Sequence, residues 1–191
     1  MAKKCLFIDR DGTLVKEAPP SYRIDSFSKL EFYPMVFQYM YKIAHEFNYE
    51  LVMVTNQDGL GRKEFPFEKF APVHDFIIKS FENEEIIFSE ILMDCTYPQE
   101  HKNTRKPGTG LLVHYLNNPE YDIAQSFVIG DRVTDMQLAK NLNCKGFWLC
   151  NDVNLGAAEL TNAVKDIQAS SVVLTSPHWK DIYTYLKKIN H

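Results

Sequence analysis

The sequence predicts an α/β fold in three layers, a mainly parallel central sheet with helices on both faces. Short apolar runs alternate along the chain with segments whose apolar residues recur at helical spacing, and most runs end in polar or glycine-bearing loops. The length, 191 residues with 45% hydrophobic side chains, suits one substantial core and is short for two, so a single domain over 1–191 is expected.

The first run, KKCLFI at 3–8, and the second, ELVMVT at 50–55, read as buried strands. EIIFSEILM at 85–93, SFVIG at 126–130 and KGFWLC at 145–150 have the same character. Helices are expected over about 34–48, 68–83, 108–117 and 132–143, as where Val36, Tyr39, Met40 and Ile43 recur on one face. Parallel strands joined by such helices require right-handed crossovers. The segments 14–33 and 94–108 break the alternation and read as polar loops. This core, about 3–150, is followed from 170 by a last strand and a helix that Ser176 is expected to cap, with Trp179, Ile182, Tyr183 and Leu186 on its apolar face.

Twenty-one Lys and Arg against 25 Asp and Glu give a net charge of −4, which disfavours a nucleic-acid partner. No signal-peptide core follows the N-terminal lysines, and no stretch approaches the ~20 apolar residues of a membrane span, so no membrane partner and a cytoplasmic location are expected. Cys5, Cys95, Cys144 and Cys150 show no Cys-x-x-Cys spacing and read as reduced, mostly buried thiols.

In an open parallel sheet the ligand crevice lies beyond the carboxyl ends of the strands. The first strand ends in Asp9-Arg10-Asp11-Gly12-Thr13, where carboxylates two apart leave the same face. Their repulsion is relieved by a divalent cation with oxygen preference, magnesium being the natural candidate, although Asp-Gly is also a turn signal on its own. The second strand ends in Thr55-Asn56-Gln57-Asp58-Gly59, a hydroxyl and backbone N–H groups able to cradle phosphate. Arg105-Lys106-Pro107 follows the third, and Gly130-Asp131-Arg132-Val133-Thr134-Asp135 the fourth. Acid, hydroxyl, cation and acid gathered at four strand ends suit phosphoryl transfer.

DRDGT, TN, K and GDRVTD, in that order over about residues 5–150, resemble the four motifs of the haloacid dehalogenase superfamily of aspartate-nucleophile phosphatases. FIDRDGTLVKEAP, KLEFYP, VTNQDGLG, the FP…F…H run at 65–74, RKP and VIGDRVTDMQLA resemble the histidinol-phosphate phosphatase family more closely. The resemblance implies a Rossmann-like core without a large cap domain and a small-molecule phosphate ester as substrate, L-histidinol phosphate in histidine biosynthesis. Asp9 becomes the nucleophile and Asp11 the general acid and base. Magnesium falls to the Asp9 carboxylate, the Asp11 backbone carbonyl and Asp131, supported by Asp135. Thr55 and Asn56 hold phosphoryl oxygens, and Lys106, beside Arg105, offsets charge. Substrate-reading groups are expected at Glu17, Gln57, Asp58 or Asp25, where acidic partners could meet a cationic leaving group. His74 matches a family histidine and reads as structural.

Relatives often carry a zinc loop ahead of RKP, built from Cys-x-His and then Cys-x-Cys. Here Asp94, Thr96, Lys102 and Thr104 stand at those positions, with Cys95 and His101 out of step, and no structural zinc is expected. The family domain often precedes an imidazoleglycerol-phosphate dehydratase domain, so the chain is either a stand-alone enzyme or one half of a fused parent with the dehydratase attached or in trans. Rival readings are a heptose bisphosphate phosphatase, a nucleic-acid 3′-phosphatase and a silent binding module.

Overall fold

Strand alternation divides the core into two layers. β1 (Lys4–Ile8) sends Leu6 and Ile8 to one face of the sheet and Cys5 and Phe7 to the other. β2 (Tyr49–Asn56) repeats the pattern with Leu51 and Met53 against Val52 and Val54. With β3 (Glu90–Asp94), β4 (Phe127–Gly130), β5 (Lys145–Trp148) and β6 (Val172–Thr175) they form one sheet in the order β3-β2-β1-β4-β5-β6, every pair parallel. The computed structural model describes residues 2–149 and 154–190, so Cys150 lies outside the described residues.

On the first face, α1 (Val36–Glu46), α2 (Phe67–Asn83) and α6 (Trp179–Asn190) bury Met40, Ile77 and Ile182 against Leu6, Ile8 and Met53. On the second, α3 (Val113–Leu116) and α4 (Val133–Asn141) bury Tyr115 and Leu138 against Phe7 and Val54. α5 (Val164–Ser171) packs Ile167 on Val133, Met136 and Trp148 of the same side. The order in which strands are added reverses between β1 and β4, and the crevice beyond their carboxyl ends is where such sheets take ligands. The connection from β1 to α1 holds isolated bridges and a 3-10 turn at Phe27–Lys29, and no separate cap domain among the described residues. No helix among them is long and apolar enough to cross a membrane.

Several boundaries differ from the sequence reading, each for a local reason. α1 begins at Val36 because Met35 stands in the left-handed region at φ 61°. The run at 85–93 divides: Glu85, at φ 57°, turns the chain out of α2, Ile86 packs beneath that helix, and pairing starts only at Glu90. The expected helix at 108–117 is a 3-10 turn at Gly110–Leu112 followed by the single turn of α3. α5 was not expected; its few apolar residues leave little helical periodicity to read. Ser176 precedes α6 by more than one residue, accepting the His178 N–H at 3.2 Å and donating to Asp181 at 2.5 Å. Cys5 and Cys144 are buried, Cys95 only partly.

Candidate active site

Asp9 leaves the end of β1 with its N–H bonded to Ile129 O of β4 at 2.9 Å, which fixes its backbone across the switch point. Asp131 follows β4, and Asp135 lies in the first turn of α4, its Oδ2 accepting the Arg132 N–H at 3.1 Å. Carboxylate oxygens of Asp9, Asp131 and Asp135 all lie within 4.8 Å of one another, and all three residues are buried. The first turn of Asp9-Arg10-Asp11-Gly12 permits this convergence because Gly12 has φ +79°, and a Cβ there would stand 2.1 Å from Asp131 Oδ2. Gly12→Ala is therefore expected to cost roughly 1–3 kcal/mol in stability and to displace Asp131. Urea denaturation would read the first effect, and loss of a divalent-cation-induced rise in melting temperature the second.

Lys106 is buried in this cluster, its Nζ 2.7 Å from Asp9 Oδ1, 2.8 Å from Asp135 Oδ1 and donating to Val54 O at 2.8 Å. Burial alone would depress the lysine's pKa, and the adjacent carboxylates of Asp135 and Asp9 outweigh it, so the net shift is upward and the ammonium is held charged. Burial pushes Asp9 up to about 7, against the opposing pull of Lys106 and with a further push from Asp135. Asp131 is raised by burial and then by the charges of Asp9 and Asp135. Its Oδ1 is buried and has no hydrogen-bond partner among the described residues. An orphaned carboxylate oxygen beside two more carboxylates fits a hard divalent cation taken by oxygen ligands.

Asp11 enters the same cavity, a space of about 300 Å³ reaching from Asp9 and Lys106 to the surface. Its carboxylate is gripped from both sides. Oδ1 accepts Arg10 Nη2 at 2.9 Å and Nε at 3.1 Å, while Oδ2 accepts Gln57 Nε2 at 2.6 Å. The fully buried Arg10 lies over the Phe70 ring at 4.7 Å, and Phe70 stacks on His74 at 4.9 Å. His74 Nδ1 is 3.3 Å from Arg10 Nη1; burial, then the arginine's charge, pushes its pKa down to about 4, so the neutral ring can accept from the guanidinium. His74 thus braces Arg10, which in turn braces Asp11.

In the strand-two loop Thr55, Asn56 and Gln57 are each hydrogen-bonded within the protein. Thr55 is 1% exposed, and its Oγ1 accepts from Gln57 Nε2 at 2.9 Å. Asn56 is engaged with the Lys106 backbone, accepting its N–H at 3.0 Å and donating to its carbonyl at 3.2 Å. Gln57 is nine-tenths buried and bridges Thr55 to Asp11. At the rim, Glu17 pairs with Arg132 at 2.5 Å, and Arg105 lies between Asp58 at 2.5 Å and Glu159 at 2.9 Å. Asp25 pairs with Lys29 at 2.6 Å and does not line the cavity.

Glu159 and the pairing role of Arg132 were missed from sequence. Glu159 meets Arg105 across 54 positions, and no local pattern marks it. Both tryptophans were also missed as site supports. Trp179 Nε1 donates to Thr13 O at 3.0 Å and Trp148 Nε1 to Asp131 O at 2.9 Å, so the loops after β1 and β4 each rest on a buried indole.

Comparison with known proteins bears on the family and the fold. Residues 4–169 match the model of the family described as polynucleotide kinase 3 phosphatase. The chain is 52% identical over 155 residues to a histidine biosynthesis bifunctional protein HisB of Bacteroides fragilis, covering 81% of this chain and 41% of that protein. It is 42% identical over 191 residues to the HisB of Spirosoma linguale, covering 97% of this chain and 49% of the relative. The chain thus spans about half the length of these curated relatives or less. Among solved structures, D,D-heptose 1,7-bisphosphate phosphatase from B. bronchiseptica, complexed with magnesium and phosphate, superposes with a TM-score of 0.75 at 19% identity, covering 97% of this chain and 98% of that one. The family match over residues 4–169 leads to one conclusion: the chain belongs to the polynucleotide kinase 3 phosphatase family.

Proposed function

We propose that the chain is a magnesium-dependent phosphomonoesterase that hydrolyses L-histidinol phosphate through an aspartyl phosphate, as a step of histidine biosynthesis. The observation that carries the chemistry is the buried cluster of Asp9, Asp131 and Asp135 braced by Lys106 at the floor of an open cavity. The substrate rests on the resemblance to histidinol-phosphate phosphatases and on relatives named for histidine biosynthesis.

Asp9, Asp131 and the Asp11 backbone carbonyl would hold magnesium, which when bound offsets the crowded carboxylates and draws charge from phosphoryl oxygens. Asp135 supports that group from α4. Asp9 Oδ1 is engaged by the Arg10 N–H at 2.8 Å and by Lys106, which holds the carboxylate in place as it attacks phosphorus. As the bond to the leaving oxygen breaks, the electron pair stays on that oxygen and Asp11 gives it a proton. Asp11 then takes a proton from the water that attacks the aspartyl phosphate, releasing phosphate and returning Asp9 as a carboxylate. Lys106 balances charge on the transferred group, and the Thr55 hydroxyl donates to one of its oxygens. Asn56 acts through Lys106, whose backbone it holds. Glu17, Gln57 and Asp58 face the leaving group, joined by Glu159, with the two arginines keeping the carboxylates ordered. The single domain works as a unit, and a dehydratase partner, in a fused parent chain or in trans, is proposed from the bifunctional relatives.

Phosphate release from L-histidinol phosphate, with and without magnesium, tests the reading. Metal-dependent release well above that from an aryl phosphate is expected. Release from heptose 1,7-bisphosphate or a 3′-phosphorylated oligonucleotide, with none from L-histidinol phosphate, would reassign the substrate and keep the chemistry.

A further inference from the structure

We propose that Asp94 is the positioning residue for Lys106, closing the 95–104 loop with hydrogen bonds where related domains use a metal. The proposal rests on the role given above to Lys106.

Asp94 ends β3 and is 4% exposed. Its backbone is fixed in the sheet, its carbonyl accepting the Gln57 N–H at 2.7 Å. Its side chain is a hub. Oδ1 accepts the Thr96 N–H at 2.8 Å and the Thr96 hydroxyl at 2.5 Å, and Oδ2 accepts the Thr104 hydroxyl at 2.5 Å. One buried carboxylate thereby binds both ends of the loop, and three donors compensate its removal from water.

The consequence for the site lies in register. Asp94 is the cross-strand partner of Asn56. Asn56 grips the backbone of Lys106, and Asp94 grips Thr104 two residues earlier. Neighbouring strand ends therefore clamp successive points of the returning loop, and Lys106 emerges from that clamp into Asp9 and Asp135. Arg105, between them, also donates to Thr96 O at 3.1 Å, tying the cavity rim to the same hub.

The residues at the positions of the family's zinc ligands do not fit zinc. Asp94, Thr96 and Thr104 satisfy one another, the fourth position is the cation Lys102, and a closed structural site takes thiolates and imidazoles. The structure assigns the loop a carboxylate–hydroxyl knot in place of a metal cross-link.

The test uses the whole chain carrying Asp94→Ala, Asp94→Asn or Thr104→Val. Amide hydrogen exchange over 95–106, kcat and KM for p-nitrophenyl phosphate at saturating magnesium, and zinc content are measured. Asp94→Ala is expected to speed exchange in 95–106 while β1, β2 and β4 stay protected, and to lower kcat between roughly tenfold and a hundredfold, the range a misplaced catalytic group produces. Asp94→Asn should restore most of both, because its oxygen still accepts from Thr96 and its nitrogen donates to the Thr104 hydroxyl. Thr104→Val, which removes one hydroxyl, should fall between and decides the matter if Asp94→Ala does not fold. Unchanged exchange in 95–106, or kcat within about twofold of the parent in both Asp94→Ala and Thr104→Val, overturns the proposal. So does stoichiometric zinc whose removal opens the loop. An aryl phosphate is used so that a wrong physiological substrate leaves the result intact. If the parent chain releases no phosphate at all, the functional reading fails, and loop exchange still decides the hydrogen-bonded tie.

Discussion

Asp9→Asn is expected to lower phosphate release by about four orders of magnitude or more, the scale seen when a nucleophile is removed. The amide keeps the shape and can accept from the Arg10 N–H, but it cannot form and release an acyl phosphate. Stability should move the other way. Burial is the main reason the Asp9 carboxyl sits at about 7 in the folded chain, so its folded pKa exceeds its unfolded one. The contribution of this group then favours folding in acid and is lost as pH rises from about 4 through about 7. Removing the carboxylate removes that loss, while Lys106 retains Asp135 and Val54 O as partners. At pH 8 in a chelator the variant should melt no lower than the parent, and any advantage should shrink at pH 5. A clear fall in melting temperature at pH 8 would instead make Asp9 a support of the fold.

Lys106→Met should damage both chemistry and fold. Its ammonium contacts two buried carboxylates and a backbone carbonyl, and a methionine withdraws that charged donor from all three, leaving the carboxylates only backbone N–H donors among the described residues. Breaking a buried ion pair from one side costs about 3–5 kcal/mol, against which the thioether recovers only packing. Loss of a preorganised charge at the transferred group lowers kcat by roughly 10²–10³-fold. Guanidinium denaturation in a chelator and phosphate release at saturating magnesium read the two effects separately. Parent-like stability would mean that Lys106 enters the cluster only when substrate is bound.

What the sequence disclosed was local or periodic. Leu6 and Ile8 against Cys5 and Phe7 reveal a strand buried on both faces, and the order of strand-end motifs places Asp9, Lys106, Asp131 and Asp135 together. What stayed hidden depends on partners far along the chain. Nothing near Asn56 indicates that its amide is engaged by the backbone of Lys106, and nothing near Glu159 indicates that it completes the pairing of Arg105. Gln57 lines the cavity, and nothing near it in sequence indicates that its amide also bridges Thr55 to Asp11. The loop at 94–108 read as merely polar because a knot of one carboxylate and two threonines leaves no spacing signature, unlike a set of thiolates.

The indoles beneath the catalytic loops have an optical consequence. The chain contains two tryptophans, and each donates its N–H to a carbonyl beside the acidic cluster, one at Thr13 and one at Asp131. Indole emission responds to the field along its ring, so a cation taken up beside Asp131 is expected to change the emission, most directly through Trp148, whose N–H rests on the Asp131 carbonyl. Emission recorded during a magnesium titration of the parent, Trp148→Phe and Trp179→Phe chains would assign the change to one indole or the other.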